Sequence, residues 1–215
     1  MPMLATAGQV PKGPGWAFEF KWDGVRAVVA AAGDQVQLTS RLGNDVTAGY
    51  PELAGIGAVA GGRPVLLDGE IVVLDAAGRP NFGLLQDRMH VRNPSAELRA
   101  RLPVSYYAFD VLHVDGKSLL AAPYDERRAR LAALGPAERL LVPPSFDPAI
   151  DDVDERRGYQ HTVRRGERGE PGAAVVVGGR EQRLAVEVQH VEGVEGHGEA
   201  RAQLRRRVAH VHAVL

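Results

Sequence analysis

The chain has 215 residues, of which 45% are hydrophobic and 25% are charged, and its formal net charge is −1. These values are typical of a globular protein with a packed core, and the sequence shows neither an apolar run long enough to span a bilayer nor a signal segment. Because the chain has no cysteine, disulfides, thiolate catalysis and cysteine-ligated zinc are excluded. We therefore expect a cytoplasmic protein that contacts no membrane.

Alternating apolar residues and turn signals predict short strands and helices over the first 150 residues. The predicted strands cover residues 16–22, 25–31, 35–39, 65–74 (with an interruption at 68–70), 104–113 and 139–142. The predicted helices cover residues 50–60, which begin with a proline in the first turn, and 123–134, which a glycine ends. This mixture indicates an α+β domain.

The composition changes at about Asp151. The remaining residues contain no lysine and few large apolar side chains apart from valines, so they offer little to pack. Strands are predicted there only at 175–177 and 184–188. Two explanations are open, a genuine low-complexity extension and translation outside the ancestral reading frame of a GC-rich gene, and we favour the second. The histidines of this tail have no ligand-like spacing and are interpreted as solvent-facing.

The pattern K-x-D-G-x-R, formed by Lys21, Asp23, Gly24 and Arg26, begins at the end of the first predicted strand. A lysine amine is a nucleophile only when deprotonated, and free lysine has a pKa of about 10.4. Partial burial beside a cation and a metal ion favours the neutral amine, which can then attack the α-phosphate of a nucleotide and expel pyrophosphate. The glycine is expected to allow a sharp turn. The motif alone is equally compatible with surface charges that flank a hairpin turn.

Three further signals follow in order. Arg41 lies in a polar loop after a predicted strand, Glu70 lies inside an apolar strand, and Phe109 lies on a strand rich in aromatic residues. A carboxylate in an apolar strand is costly unless it is paired or binds a ligand, and an aromatic ring can stack on a purine. The alternatives are a solvated arginine, a structural ion pair and an ordinary core phenylalanine.

Residues 2–146 resemble the bacterial ATP-dependent DNA ligases, especially the ligase module of non-homologous end joining. Residues 21–26 match the family's motif I, residues 40–45 motif Ia, residues 68–71 motif III, and Phe109 with Asp110 motif IIIa. The resemblance implies an α+β nucleotidyltransferase (ATP-grasp-like) domain. Such a domain has two mostly antiparallel sheets with flanking helices, and here the C-terminal part of the fold is expected to be missing.

The resemblance also implies a division of the chain, cofactors and partners. Residues 1–147 are expected to form a partial adenylation domain, and residues 148–215 a low-complexity tail without family resemblance that either covers an open sheet edge or stays disordered. The implied cofactors are ATP and Mg²⁺ or Mn²⁺. The implied partners are nicked or broken double-stranded DNA and end-joining repair proteins, and the chain is expected to be a monomer.

The resemblance assigns roles to seven side chains. They are the adenylylated nucleophile Lys21, the loop-orienting Asp23, Glu19 at the adenine edge, Arg26 and Arg41 on the ribose, phosphates or nicked strand, Glu70 near the ribose and metal, and Phe109 stacked on adenine. A purely structural role remains the alternative for five of them, Glu19, Arg26, Arg41, Glu70 and Phe109.

The chain departs from the family after residue 147. Motifs IV and V, which supply a second metal carboxylate and further lysines, are not recognisable, although residues 191–195 have a passing likeness to motif IV without its lysine. The OB-fold domain that follows in the family is also not recognisable. Losing these groups would remove several kcal/mol of phosphate stabilisation, so we expect weak or absent activity.

Three other functions are open on the sequence. An RNA ligase or a capping guanylyltransferase shares the lysine motif, although residues 2–5 and 40–45 favour a DNA ligase. A non-catalytic nucleotide- or DNA-binding remnant would keep the fold without the chemistry. An unrelated α+β scaffold with a coincidental motif is the remaining alternative.

Overall fold

A computed structural model describes residues 6–7, 16–135, 137–146, 160–164 and 174–177. Its strands are β1 (Thr6–Ala7), β2 (Trp16–Phe20), β3 (Val25–Ala32), β4 (Gln35–Ser40), β5 (Val65–Val73), β6 (Val104–Val114), β7 (Lys117–Ser118), β8 (Leu140–Leu141), β9 (Ser145–Phe146), β10 (Gln160–Arg164) and β11 (Ala174–Val177). The α-helices are α1 (Phe82–Gln86), α2 (Ala96–Arg101) and α3 (Tyr124–Ala132), and two 3-10 segments cover Thr47–Gly49 and Pro51–Gly62.

The strands form two sheets. The first has the order β1-β11-β10-β2-β9, and the second has the order β4-β3-β5-β6-β7 with β8 beside β6. Neighbouring strands are antiparallel except for the pairs β1–β11 and β6–β8. The predicted α+β fold of two mostly antiparallel sheets with flanking helices is therefore confirmed.

The second sheet has one apolar face and one face with a polar end. Ala27, Val29, Leu67 and Ile71 are at most 2% exposed and belong to the main hydrophobic core, which also includes residues of the Pro51–Gly62 segment. Because successive side chains of a strand point to opposite faces, the residues between them lie on the other face. That second face carries the polar residues of β3 and β5.

The strand β5 is continuous through residues 68–70, where two acidic residues and a glycine interrupt its apolar sequence. The strand runs from Val65 to Val73, and its register with β6 shifts between Asp68 and Gly69. Asp68 is tolerated in this strand because it is paired with an arginine of the neighbouring strand. Gly69 leaves room for Tyr106, since a Cβ there would lie 2.6 Å from Cζ of the tyrosine ring.

The helix predicted at residues 50–60 is instead a 3-10 segment that breaks near its end. Ala60 and Gly61 both have positive φ values, of 55° and 66°. Gly57 packs directly on the backbone of Gly33, where a side chain would overlap the Gly33 carbonyl. This close approach and the positive φ values explain why the segment does not continue as an α-helix.

Two predictions concern the tail and the edge of the first sheet. The strand predicted at residues 175–177 is confirmed by β11, and the one at 184–188 lies outside the described residues. The strand β10 was not predicted, and it pairs with β2. One edge of β2 is therefore paired with a strand of the tail. The domain boundary at residue 147 stays a prediction.

Arg88 is a fully buried cation beneath the second sheet. Its guanidinium donates hydrogen bonds to both carboxylate oxygens of Glu52, at 2.8 and 3.2 Å, and to the carbonyl oxygens of Gly49 and Leu102, at 3.1 and 2.7 Å. A buried charge is stable only when it is paired and hydrogen-bonded in this way. Arg88 thus joins the two 3-10 segments to the loop that precedes β6.

No helix in the described part of the chain is long and apolar enough to cross a bilayer.

Candidate active site

Lys21 is the first residue after β2, at the point where the chain leaves the first sheet for the second. Residues 16–20 are held in place by β9 on one side and β10 on the other. The next residue, Trp22, contacts Tyr107 of β6 with ring centroids 4.2 Å apart and a tilt of 36°. The segment that bears the lysine is therefore anchored to both sheets.

Gly24 presses this segment against β5. A Cβ at position 24 would overlap the carbonyl oxygen of Ile71 and would lie 2.9 Å from Cγ of Glu70. The glycine is thus required for close approach to the neighbouring strand. From the sequence we expect this glycine to allow a sharp turn, but Gly24 is not among the described glycines with positive φ.

The side chain of Lys21 is 28% exposed, and its Nζ lies 3.8 Å from Oδ1 of Asp23, which is 61% exposed. An ion pair this exposed contributes little to stability. The amine therefore lies near the surface and within ion-pairing distance of Asp23, whose role in orienting the lysine loop stays a prediction.

Arg26 is held by Asp68 across the β3–β5 pair. Its Nε and Nη2 atoms donate to the two carboxylate oxygens of Asp68 at 3.1 and 2.8 Å, and its Cζ lies 5.1 Å from the ring centroid of Phe109. A bidentate pair of this kind fixes the plane of the guanidinium. Arg26 thus covers one side of the Phe109 ring. Asp68 was not predicted as a site residue, although an acid in an apolar strand was a visible signal.

Glu70 lies directly between Arg26 and Tyr107 in the strand register. Burial raises the pKa of Glu70 to about 8, while Arg26 and Lys21 lower it. None of the described residues donates a hydrogen bond to this carboxylate. Without a ligand, the Glu70 carboxyl of the folded chain is therefore mostly protonated at neutral pH. A bound cation or a hydrogen-bond donor would favour its ionised form.

The donor set at this end of the sheet fits a hard divalent cation. Mg²⁺ is usually held by one or two carboxylates together with substrate phosphates, so it does not need a cage of protein ligands. Glu70 supplies one carboxylate, and Asp23 is near enough to influence its titration. Within the described ranges no three histidine, aspartate or glutamate side chains converge on one point.

Glu19 is buried two residues before the lysine. It is 5% exposed, its Oε1 accepts a hydrogen bond from the hydroxyl of Tyr124 at 2.6 Å, and Nη1 of Arg128 lies 3.5 Å from the same oxygen. Burial raises the pKa of Glu19, against the lowering effects of Tyr124 and Arg128. Neither partner was predicted. Their spacing of four residues on α3 places them on one helix face, but it does not reveal what that face contacts.

Arg41 lies in the exposed turn that follows β4. Since Ser40 pairs with Ala27, the register brings this turn to the same end of the sheet as Arg26. The neighbouring Leu42 is 71% exposed. The structure therefore gathers at one end of the second sheet the predicted residues Lys21, Asp23, Arg26, Glu70 and Phe109, with Glu19 buried behind them and Arg41 on the nearby surface.

Comparison with known proteins agrees with this arrangement. Residues 2–161 match the family described as ATP dependent DNA ligase domain. The multifunctional non-homologous end joining protein LigD of Mycolicibacterium smegmatis is 43% identical over 162 residues, which are 73% of this chain and 20% of that protein. A probable DNA ligase of Streptomyces avermitilis is 38% identical over 176 residues, 79% of this chain and 34% of that protein.

Solved structures resemble the chain in three dimensions as well. A mycobacterial DNA ligase D complexed with ATP and MES matches with a TM-score of 0.68 and 38% identity, over 85% of this chain and 60% of that one. The ligase domain of LigD from M. tuberculosis matches with a TM-score of 0.66 and 37% identity, over 86% and 57% of the two chains. The chain thus spans only part of the length of these relatives. Both the match over most of its residues and the common fold show that the chain belongs to the ATP-dependent DNA ligase domain family.

Proposed function

We propose that the chain carries the adenylylation chemistry of an ATP-dependent DNA ligase, with Lys21 as the nucleophile. The amine attacks the α-phosphorus of ATP, a phosphorus–nitrogen bond forms, and the bond to pyrophosphate breaks. The AMP group then passes to a 5′-phosphate of DNA, and a 3′-hydroxyl displaces AMP to seal the nick. The family uses ATP and a divalent metal, and the assignment of both to this chain is part of the proposal.

One observation carries the proposal. Lys21 comes from the segment after β2, Glu70 from β5 and Phe109 from β6, yet all three lie around Arg26 at one end of the second sheet. A lysine that serves only as a solvated surface charge is not expected to lie beside a buried carboxylate and an aromatic ring that packs on an arginine. Nucleotidyl transfer is catalysed mainly by positioning and by charge stabilisation, and these residues supply both.

The individual roles follow from the contacts. The face of Phe109 that is turned away from Arg26 is suited to stack on the purine. The two hydrogen bonds that Arg26 donates to Asp68 keep its guanidinium in a fixed plane. Glu70 is the carboxylate that would hold the metal ion or the ribose hydroxyl. A bound divalent cation neutralises the charge that develops on the phosphates and the leaving pyrophosphate.

Covalent labelling tests the proposal directly. The full chain is incubated with α-labelled ATP and Mg²⁺ or Mn²⁺, denatured, and analysed for label and for a mass increase of one AMP. We expect a slow but detectable adduct that Lys21→Ala abolishes. Lys117→Ala is the matched control, because Lys117 is exposed on β7, away from the site. Label that persists in Lys21→Ala, or its absence from the unaltered chain, would overturn the proposal.

The substrate class belongs to the same proposal. We assign nicked or broken double-stranded DNA as the acceptor of the AMP group and end-joining repair in the cytoplasm as its setting, and we expect the chain to act as a monomer. The named functions of the relatives support this assignment. Labelling by GTP in preference to ATP would instead indicate a capping guanylyltransferase, and binding of ATP without an adduct would indicate a non-catalytic remnant.

A further inference from the structure

Only one of the two carboxylate oxygens of Glu19 has polar partners among the described residues. Both the Tyr124 hydroxyl and the Arg128 guanidinium approach Oε1, at 2.6 and 3.5 Å. In the described part of the chain no group donates to Oε2. Glu19 as a whole is 5% exposed, and a carboxylate oxygen without a protein donor is suited to accept a hydrogen bond from a ligand.

The position of Glu19 along β2 places its side chain near the Lys21 amine. Glu19 is the fourth residue of β2 and Lys21 directly follows the strand, so the carboxylate and the amine lie at the same end of β2. A ligand held against the Lys21 amine therefore extends past Glu19. Adenine offers an amino group at its position 6, whereas guanine offers a carbonyl oxygen there. A carboxylate attracts the first and repels the second.

Arg128 joins this carboxylate to the opposite wall of the site. Besides its contact with Glu19, it donates from Nη1 to the carbonyl oxygen of Phe109 at 3.3 Å and from Nη2 to that of Pro143 at 2.6 Å. Its side chain is only 14% exposed. One guanidinium thus bridges Glu19 of β2 and the backbone of Phe109, the predicted purine-stacking residue. The adjacent Arg127 donates from Nε to Oδ1 of Asp110 at 2.8 Å.

We propose that Tyr124 and Arg128 are positioning residues that set the selectivity of the site for adenine. By occupying Oε1, they turn Oε2 of Glu19 towards the 6-amino group of the purine. The inference deepens the proposed function and rests on it for the direction in which the nucleotide lies. A hydroxyl can donate to Oε1 only while it is protonated, and burial together with Glu19 raises the pKa of Tyr124 far above neutrality.

The test compares nucleotides that differ at position 6. Binding of ATP, GTP and purine riboside triphosphate, which has hydrogen at that position, is measured by calorimetry on the full chain carrying Lys21→Ala. This background prevents covalent transfer. Tyr124→Phe and Arg128→Lys are then added separately. Tyr50→Phe is the matched control, because Tyr50 is equally buried (5% exposed) but contacts Arg88 beneath the sheet.

We expect the Lys21→Ala chain to bind ATP roughly tenfold more tightly than purine riboside triphosphate, the size of one charge-assisted hydrogen bond. Tyr124→Phe should reduce this ratio to about threefold or less by weakening ATP binding alone. Arg128→Lys should act in the same direction, and Tyr50→Phe should leave the ratio unchanged. The Arg128 variant keeps the test valid if Tyr124→Phe does not fold.

Three outcomes would overturn the inference. They are an unchanged ratio in both variants, an equal loss of affinity for both nucleotides, and no discrimination in the Lys21→Ala chain itself. Failure of the proposed function is seen separately. If the unaltered chain forms no adduct with ATP but its Lys21→Ala form discriminates as expected, the ligase chemistry is refuted and the role of Tyr124 and Arg128 stands.

Discussion

Replacing Glu70 by glutamine should make the stability of the chain less dependent on pH. The pKa of Glu70 is raised from 4.5 to about 8, mainly because burial disfavours its charged form. The folded state therefore holds a proton that the unfolded state has already released. When the native pKa lies above the unfolded value, this contribution to stability is fully present below pH 4.5 and is lost as the pH rises through 8.

The size of the effect follows from the difference between the two pKa values. Within this window a single group changes the free energy of unfolding by about 1.4 kcal/mol per pH unit, so raising the pH from about 5.5 to about 7.5 costs up to ~2.7 kcal/mol. Burial also raises the pKa of Glu19 and Asp110, so the chain loses further stability in the same direction. Glu70→Gln removes only the first contribution, because glutamine does not ionise.

The assay is urea denaturation of the full chain and of Glu70→Gln at a series of pH values between about 5.5 and 7.5, without nucleotide or metal. The variant should lose about 1.5 to 3 kcal/mol less than the unaltered chain over this range, and it should be the more stable of the two at the upper end. Glu138→Gln is the control, because its side chain is 78% exposed and should change nothing.

Two results would refute the reasoning. If Glu70→Gln and the unaltered chain have the same pH dependence, the carboxylate is not desolvated as the structure indicates. If the variant is less stable at every pH, the ionised carboxylate contributes a favourable contact in the folded chain. A further check uses ATP with Mg²⁺, which should stabilise the unaltered chain at pH 7.5 more than Glu70→Gln, because only the carboxylate can hold the cation.

Two more predictions concern residues outside the Glu70 cluster. Arg88→Met should lower the free energy of unfolding by about 3 kcal/mol, because it leaves the buried Glu52 carboxylate unpaired; urea denaturation measures this, and a loss below about 1 kcal/mol would contradict the buried pair. Arg41→Ala should leave adenylylation of Lys21 unchanged but slow transfer of AMP to nicked DNA, with a weaker dependence on salt, because the exposed arginine is suited to contact phosphate. Equal transfer rates at low salt would remove Arg41 from the DNA surface.

Local patterns were sufficient for most of the strands. Alternating apolar residues predicted β3 and β4 to within a residue, and the long apolar strand β6 was found at nearly its full length. The same reasoning failed at Pro51–Gly62, where an apolar segment with several glycines was read as a helix. The glycines there serve close packing on Gly33, and such a contact between distant residues leaves no local periodicity.

Some site residues could be identified from the sequence, but the contacts between distant site residues could not. Lys21 and Glu70 could be selected from the sequence because each is chemically unusual for its segment, and Phe109 because it matches motif IIIa. Asp68, 42 residues from its partner Arg26, and Tyr124, 105 residues from Glu19, could not be paired. Which distant side chains meet is decided only when the strands take their register.

The amino-acid sequence by itself determined the chemical groups of this protein and the strands that carry them, because hydrophobic alternation and motif order are local properties. The tertiary structure decided how Arg26 is held against Phe109, how deeply Glu70 is buried, and which oxygen of Glu19 is occupied. These depend on desolvation and on contacts across sheets, and neither exists until the chain has folded.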